Sequence, residues 1–333
     1  MVSGVATREI GPEDGDQRLD RWFRRHYPGL GHGRLEKLLR TGQIRVNGSR
    51  ARAGTRLAAG DRVRVPPLPG LGEDGEGRAP RPSPPVDEAD AAMVQAAVIY
   101  RDADLIALNK PPGLPVQGGS RVRRHLDVML AALRFEADET PRLVHRLDRD
   151  TSGVLLLARH AKAARDLAAL FRSRRLQKLY WALVAGVPKP AQGRIDAALA
   201  KRETGAGERM VATAEEGLRA VTDYALIEAA GRRLAWLALM PRTGRTHQLR
   251  AHTAQVFGHA VVGDGKYGGE AAFPAGFEPR LHLHARALAL PRAGKAPLVL
   301  TAPLPPHMAA AWRFLGFDPA PGGDEFAPFA DAP

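Results

Sequence analysis

The sequence predicts an α+β protein built around a mixed, mainly antiparallel sheet, and three observations support that class. Short apolar stretches typical of strands recur between residues 98 and 290. Amphipathic helical patterns lie among them at about 124–134, 161–173 and 246–257. Strands and helices mix without the regular βαβ period of a doubly wound parallel sheet, so the larger part of the chain falls outside that class.

Seven predicted strands are spread along this larger region. Each is an apolar run bounded by charged or turn-forming residues, the pattern of a buried or half-buried strand. In chain order they cover residues 98–100, 105–108, 154–158, 180–184, 221–227, 234–239 and 281–290. The Pro- and Gly-rich residues 319–333 follow as a predicted C-terminal tail.

A separate small module is predicted at residues 17–67, after an N-terminal segment of residues 1–16. Apolar residues at helical spacing indicate two helices, and the turn signal Asn47-Gly48 indicates a hairpin after them. The predicted elements are, in order, a helix beginning at Arg18, a helix over 34–40, and strands at 44–46 and 61–65.

Positive charge is concentrated in this module. The 333-residue chain has a formal net charge of +13, and residues 17–67 hold 13 Arg or Lys against three acids, a local excess of +10. A surface that served only solubility would intersperse both signs, so this concentration indicates a polyanionic partner such as RNA. The candidate RNA contacts lie on the second helix and the strand after it: Arg34, Lys37, Arg40 and Arg45.

Residues 68–92 are rich in proline, glycine and charge, and they predict a linker because such a composition cannot bury a core. The chain has no cysteine, which excludes disulfides and thiolate metal sites. It has neither a secretory signal pattern nor an apolar run of the roughly 18–20 residues that a membrane span needs. We therefore expect a cytoplasmic monomer that acts away from membranes.

The segment His145-Arg146-Leu147-Asp148, with Thr151-Ser152-Gly153 close behind it, is the most informative motif in the chain. A charged, turn-prone loop runs here directly into the predicted strand at 154–158, so its polar groups are held by a rigid scaffold. Two neighbouring arginines favour the ionised form of the Asp148 carboxyl. That state suits a nucleophile better than a proton donor, although a solvated or capping carboxylate also fits these residue types.

The same loop imitates the start of a calcium-binding site. Asp148, Asp150, Ser152 and Gly153 match the opening of an EF-hand loop, which needs oxygen ligands at alternate positions and glycine at the sixth. The twelfth position should be a glutamate and is Arg159, and no incoming helix is evident. Calcium binding is therefore not predicted.

Two further patterns imitate metal or dinucleotide sites. His247 and His252 do not share a helix face and have no evident third ligand, so zinc is not predicted. His282 and His284 could face one way on a strand, and a structural strand is the favoured interpretation. Residues 263–268 satisfy GxGxxG literally, but no βαβ helix follows, so they indicate a loop.

Together with three further segments, the motif at 145–153 resembles the signature of the RluA-type pseudouridine synthases. Those segments are Asn109-Lys110-Pro111-Pro112-Gly113, Lys178-Leu179-Tyr180-Trp181 and Arg242-Thr243-Gly244-Arg245-Thr246-His247-Gln248-Leu249. The N-terminal module resembles the S4 RNA-binding domain. These resemblances imply the pseudouridine synthase fold for residues 93–318 and an S4-like domain for residues 17–67.

The resemblance also implies roles for individual side chains. Asp148 would be the catalytic nucleophile, Tyr180 would lie against the target uracil, and Arg245 would form a partly buried ion pair with Asp148. From the residues alone, core packing explains a strand tyrosine equally well. The implied substrate-binding side chains are Arg146, which fills the space left by the flipped base, Leu249, which packs near the tyrosine, and Lys110, in a loop that walls the cleft.

The implied reaction is the isomerisation of uridine to pseudouridine within RNA, with neither cofactor nor metal. The target base leaves its stack, and Asp148 attacks the nucleotide or removes a sugar proton, two routes that the sequence leaves open. Residues 143–154 and 117–120 most resemble the RluC branch, so we expect large-subunit ribosomal RNA or a ribosome assembly intermediate as partner. The alternatives are the same chemistry on transfer RNA and a non-catalytic RNA-binding factor of ribosome assembly.

Overall fold

The computed structural model describes residues 4–68, 86–118, 122–173, 175–205, 207–213, 216–292, 294–319 and 326–329. Most of the predicted linker, part of the loop at 117–120 and most of the predicted tail lie outside these described residues. The chain divides into two units, one before residue 86 and one from residue 86 onward. No helix in the described residues is long and apolar enough to cross a membrane.

The first unit packs two short helices against small antiparallel sheets. Apolar residues at helical spacing from both helices share one core, among them Trp22, Phe23 and Leu35. Strand β1, inside the predicted N-terminal segment, pairs with β6 and so extends the sheet beyond the prediction. The elements are β1 (Ala6–Glu9), β2 (Gln17–Arg18), α1 (Leu19–His26), α2 (His32–Arg40), β3 (Arg45–Val46), β4 (Ser49–Arg50), β5 (Arg56–Leu57) and β6 (Arg62–Val65).

The second unit begins inside the predicted linker. Asp87 caps the first helix with its side-chain oxygen, and Val94 of that helix is buried in the core, so residues 88–92 belong to the packed structure. Its first elements are α3 (Glu88–Ala96), β7 (Val98–Arg101), β8 (Leu105–Lys110), α4 (Leu126–Met129), β9 (Arg142–Leu143), β10 (Ser152–Ala158), α5 (Ala161–Arg172), β11 (Gln177–Ala185) and β12 (Gln192–Asp196).

The remaining elements complete one large sheet and a separate hairpin. They are β13 (Leu199–Thr204), β14 (Gly207–Ala212), β15 (Val221–Ala230), β16 (Leu234–Pro241), α6 (Gln248–Gln255), β17 (Leu283–Arg292), β18 (Lys295–Thr301) and α7 (Pro306–Leu315). The sheet order is β12-β15-β16-β11-β17-β10-β8-β7, with β18 beside β17 and β9 beside β10. Most pairings are antiparallel, which confirms the predicted α+β class.

Glycine at position 153 allows β10 to run against β17. These two strands pair in parallel, with Gly153 opposite Ala285. The φ angle of Gly153 is +108°, where side chains are strained, and a Cβ there would overlap the Ala285 backbone. The glycine therefore permits a close approach of two strands directly after the loop that carries Asp148.

Candidate active site

The loop at residues 145–150 enters β10 and is held from behind by the end of β8. The Lys110 side chain is buried there, and its Nζ donates to the carbonyl oxygens of Pro111, Leu114 and Arg149 at 2.8, 3.0 and 2.9 Å. Burial lowers the pKa of Lys110 to about 7. Lys110 does not line the cavity beside Asp148, contrary to the implied substrate contact, because its ammonium group is occupied in supporting the loop.

A cavity of about 560 Å³ opens beside Asp148. The loop at 145–150, strand β11 and the start of α6 form its walls, so segments distant in sequence meet around one space. Five of the six side chains implied as catalytic or substrate-binding line this site cavity: Asp148, Tyr180, Arg245, Arg146 and Leu249.

The basic side chain nearest to Asp148 among the described residues is an imidazole. His247 Nε2 lies 3.8 Å from Asp148 Oδ2, and the two side chains are 19% and 22% exposed. His247 precedes α6 in the left-handed region, and its Nδ1 lies 3.0 Å from Tyr267 Oη, which accepts the N–H of Met210 at 3.1 Å. Burial lowers the pKa of His247, although the Asp148 charge opposes this. The site therefore presents a neutral, oriented imidazole to the carboxylate.

Arg245 does not form the predicted ion pair with Asp148 in the described structure. Its Nε donates instead to the Arg219 carbonyl oxygen at 3.1 Å. Arg250 lines the site cavity as well; it is 8% exposed, and its Nε and Nη2 donate to the two Asp264 oxygens at 2.7 and 2.8 Å. Burial disfavours its charge, but Asp264 and Asp148 raise the pKa of Arg250. A permanent cation thus accompanies the carboxylate.

Tyr180 contributes a half-buried phenol to the site cavity. Burial, followed by the negative charge of Asp148, raises the pKa of Tyr180, so its hydroxyl stays protonated and can donate a hydrogen bond. Leu249 is 6% exposed and belongs to the apolar cluster against which Tyr180 packs. The tyrosine therefore combines a ring fixed by packing with a hydroxyl that faces polar groups.

His145 forms part of the wall opposite. Its Nε2 accepts the Leu156 N–H at 2.8 Å, and its ring stacks on Phe171 with centroids 4.4 Å apart. Burial lowers the pKa of His145 to about 3, so the ring is neutral at physiological pH. Both rings line the site cavity, so they offer an aromatic surface to a planar base.

A second cavity, of about 840 Å³, lies on the other side of Asp148. Arg146, Asp148, His247 and Arg250 line both cavities. The exposed side chain of Arg146 stands where the two spaces meet. Three more cations line the second cavity, namely Arg149, Lys266 and Arg280. A carboxylate placed between two openings rich in arginine suits a polyanionic substrate better than a small neutral one.

His282 and His284, weighed above as metal ligands, have structural roles. His284 Nδ1 lies 2.8 Å from Ser152 Oγ and its Nε2 lies 3.1 Å from the Ala302 carbonyl oxygen, so both ring nitrogens are engaged. His282 Nδ1 lies 2.7 Å from the Arg280 carbonyl oxygen. In the described part of the chain, no group of three or more His, Cys, Asp or Glu residues could hold a metal ion.

Sequence reasoning missed His247 and Arg250 as site residues. His247 lies in the segment quoted above, at the residue before α6, and Arg250 lies on α6 directly after that segment. Arg245 and Arg250 both line the site cavity, so this region of the chain supplies two arginines near Asp148. The sequence could not distinguish their contacts, because these depend on how α6 is placed.

The chain is similar to known proteins in sequence. Residues 104–255 match the family model described as RNA pseudouridylate synthase. The chain is 36% identical to ribosomal large subunit pseudouridine synthase C of Vibrio cholerae, covering 91% of this chain and 94% of that protein. It is 33% identical to the mitochondrial RNA pseudouridine synthase 4 of Arabidopsis thaliana, covering 89% of this chain and 78% of that protein.

Two solved human structures share the fold. Human RNA Pseudouridylate Synthase Domain Containing 4 is 28% identical, with a TM-score of 0.57 over 68% of this chain and 95% of that one. Human RNA Pseudouridylate Synthase Domain Containing 1 is 29% identical, with a TM-score of 0.52 over 68% of this chain and 96% of that one.

Proposed function

Because this chain belongs to the RluA-type pseudouridine synthases, we propose that it converts uridines of large-subunit ribosomal RNA to pseudouridine, with Asp148 as the reacting carboxylate. The observation that carries the proposal is Asp148 at the junction of two basic cavities, beside Arg250 and facing Tyr180. The choice of ribosomal RNA is supported by relatives named ribosomal large subunit pseudouridine synthase C.

In the proposed reaction the target uracil flips into the site cavity and rests against Tyr180 and the His145–Phe171 surface. Arg146, exposed at the junction of the cavities, props the vacated stack. Ionised Asp148 attacks the nucleotide or removes a sugar proton, and either route breaks the C1′–N1 bond. The uracil then turns, C5 joins C1′, the C5 proton is lost and N1 gains one, so the product is an isomer.

The composition of the site argues against glycoside hydrolysis. A glycosidase uses two carboxyl groups, one of which protonates the departing oxygen. Asp148 is the sole carboxylate among the described residues that line the site cavity, and the other titratable groups there include Tyr180 and His247. One carboxylate without a second carboxyl group as proton donor fits an isomerisation in which the uracil is kept and rejoined through carbon.

Tritium release tests the proposal. The full-length protein is incubated with unmodified large-subunit ribosomal RNA and transfer RNA carrying uridine tritiated at C5. We expect release from the ribosomal RNA, because rejoining through C5 expels that hydrogen. Release from transfer RNA alone would overturn the proposed substrate, and no release from either RNA would overturn the proposed activity.

We further propose that the first unit binds the same RNA through α2 and β3. Arg34, Lys37 and Arg40 are exposed on α2. Arg45 is held by its donation to the carbonyl oxygens of Gly42 and Gly48 at 3.2 and 2.9 Å. A row of exposed cations on one helix with an anchored arginine beside it is suited to the phosphate backbone.

Replacing Arg34, Lys37 and Arg40 together with glutamine should weaken binding of large-subunit RNA at physiological salt and lower kcat/KM. Each lost phosphate contact removes about 0.7–0.9 from the slope of log affinity against log salt, so we expect a loss of about 2. A variant with Arg165, Arg232 and Arg313 changed to glutamine removes the same charge from exposed positions elsewhere. Equal slopes in the two variants would contradict an RNA-binding role for α2.

A further inference from the structure

A cluster of two arginines around one aspartate lies beside the site cavity, on β12, on β15 and at the residue after β16. Asp223 sits on β15 with its side chain 3% exposed, and both of its oxygens are engaged. Arg194 donates to them from Nε and Nη2 at 2.6 and 3.2 Å, and Arg242 donates from Nε at 2.5 Å. Burial opposes ionisation of Asp223, but the two arginines outweigh it and lower the pKa of that carboxyl. We call Arg194, Asp223 and Arg242 the arginine clamp.

The clamp carries more positive charge than a structural ion pair needs. Arg194 lies directly opposite Asp223 in the β12–β15 register, so these two residues alone would join the strands. Arg242 adds a second guanidinium, and Arg219 with its partner Asp196 adds a neutral pair beside it. Among the described residues of this cluster, three guanidiniums face two carboxylates. Since buried ion pairs contribute little net stability, the extra arginine is better explained by a ligand than by folding.

The guanidiniums of the clamp face a cleft of about 220 Å³. Arg194, Arg219 and Arg242 line it together with Val221 and Thr243, and no carboxylate is among the described residues of its wall. The Arg194 and Arg242 side chains are 40% and 37% exposed, so they reach solvent while the carboxylate behind them does not. Such held guanidiniums are suited to bidentate binding of a phosphate.

The cleft adjoins the site cavity. Arg242 and Thr243 line both spaces. Thr243 is buried, and its hydroxyl donates to Gln248 Oε1 at 2.7 Å, which fixes the wall between them. Arg245, which lines the site cavity, donates to the carbonyl oxygen of Arg219 in the cleft. A ligand in the cleft is thus adjacent to one in the site cavity.

We propose that the arginine clamp binds a backbone phosphodiester of the RNA next to the nucleotide whose base enters the site cavity. This inference rests on the proposed function, because it takes the RNA as the shared ligand of cleft and cavity. Asp223 holds the guanidiniums in place before the RNA binds.

The test compares Arg242→Gln with Arg232→Gln, which removes the same charge from an exposed turn. Steady-state tritium release and filter binding of large-subunit RNA are measured between 50 and 300 mM salt, roughly the range over which phosphate contacts are screened. We expect KM and Kd to rise about tenfold for Arg242→Gln only, with a salt slope reduced by about 0.7–0.9. Melting temperatures check that both variants are folded.

Asp223→Asn gives a second, sign-dependent test. It raises the net charge by one, so simple attraction predicts tighter RNA binding. The clamp predicts weaker binding, because the guanidiniums lose the carboxylate that holds them.

Three outcomes would each overturn the phosphate site. The first is tighter RNA binding by folded Asp223→Asn, and the second is a KM of Arg242→Gln equal to that of Arg232→Gln. The third is a raised KM of Arg242→Gln with an unchanged salt slope. Absence of tritium release by the wild type would instead overturn the proposed function, while filter binding would still decide the clamp.

Discussion

Asp148→Asn is expected to lose at least about 1,000-fold in pseudouridine formation while still binding RNA, because an amide of the same shape has no nucleophilic oxygen. The side chain is 22% exposed and lies in both cavities, so the substitution leaves their shape unchanged. Tritium release measures the chemistry, and filter binding at the same salt concentration measures the affinity.

Asp150→Asn is the matched control. This carboxylate lies two residues further along the loop, is 41% exposed and pairs with Arg149 at 3.0 Å. We expect its turnover to stay within about threefold of wild type, as for a surface ion pair. Product formation by Asp148→Asn at the rate of the control would rule out the assigned role of Asp148.

Arg250→Met is expected to lower the free energy of unfolding by about 3–5 kcal/mol, the usual cost of removing one partner from a buried ion pair. Asp264 is left without its cation at 0% side-chain exposure. The same change removes the guanidinium that interacts with Asp148, so turnover should also collapse. Urea unfolding and tritium release measure the two effects separately.

The double variant Arg250→Met with Asp264→Asn separates stability from chemistry. An asparagine at 264 can still accept the Lys266 and Tyr267 N–H groups that Asp264 Oδ1 accepts at 3.0 and 3.1 Å. We expect part of the lost stability to return and the activity to stay low. Arg280 forms a largely exposed pair with Glu278 at 3.3 Å, so Arg280→Met should lower the free energy of unfolding by under about 1 kcal/mol. Recovered activity in the double variant would show that Arg250 acts only through folding.

The fold class was accessible from local pattern because the central strands are apolar and short. All seven residues of β10 are buried, so its sequence contains an uninterrupted apolar run. Strands β12 and β18 were missed because most of their residues are exposed, which leaves little apolar alternation to detect. Helix α3 was missed because its composition, dominated by alanine and acids, continues that of the preceding segment.

The site residues, too, were predicted only in part from the sequence. Asp148 and Tyr180 stand out as motif residues, but only the sheet order explains their proximity, since β10 and β11 flank β17 on opposite sides. Lys110 belongs to a recognisable segment, yet its burial against three carbonyl oxygens follows from how β8 meets the loop at 145–150. Residue types indicate a cleft, and the packing decides which side chains enter it.

The sequence by itself therefore determined the α+β class, the family resemblance and the segments from which the site is built. Only the tertiary structure decided that His247 lies 3.8 Å from Asp148 while Arg245 donates to the Arg219 carbonyl oxygen, and that Arg194, Asp223 and Arg242 form one cluster. The physical reason is that the pattern of apolar and polar residues along the chain indicates burial and local conformation. Which charged groups meet depends on the rotation of α6 and on the strand register, and both are set by contacts between residues far apart in the chain.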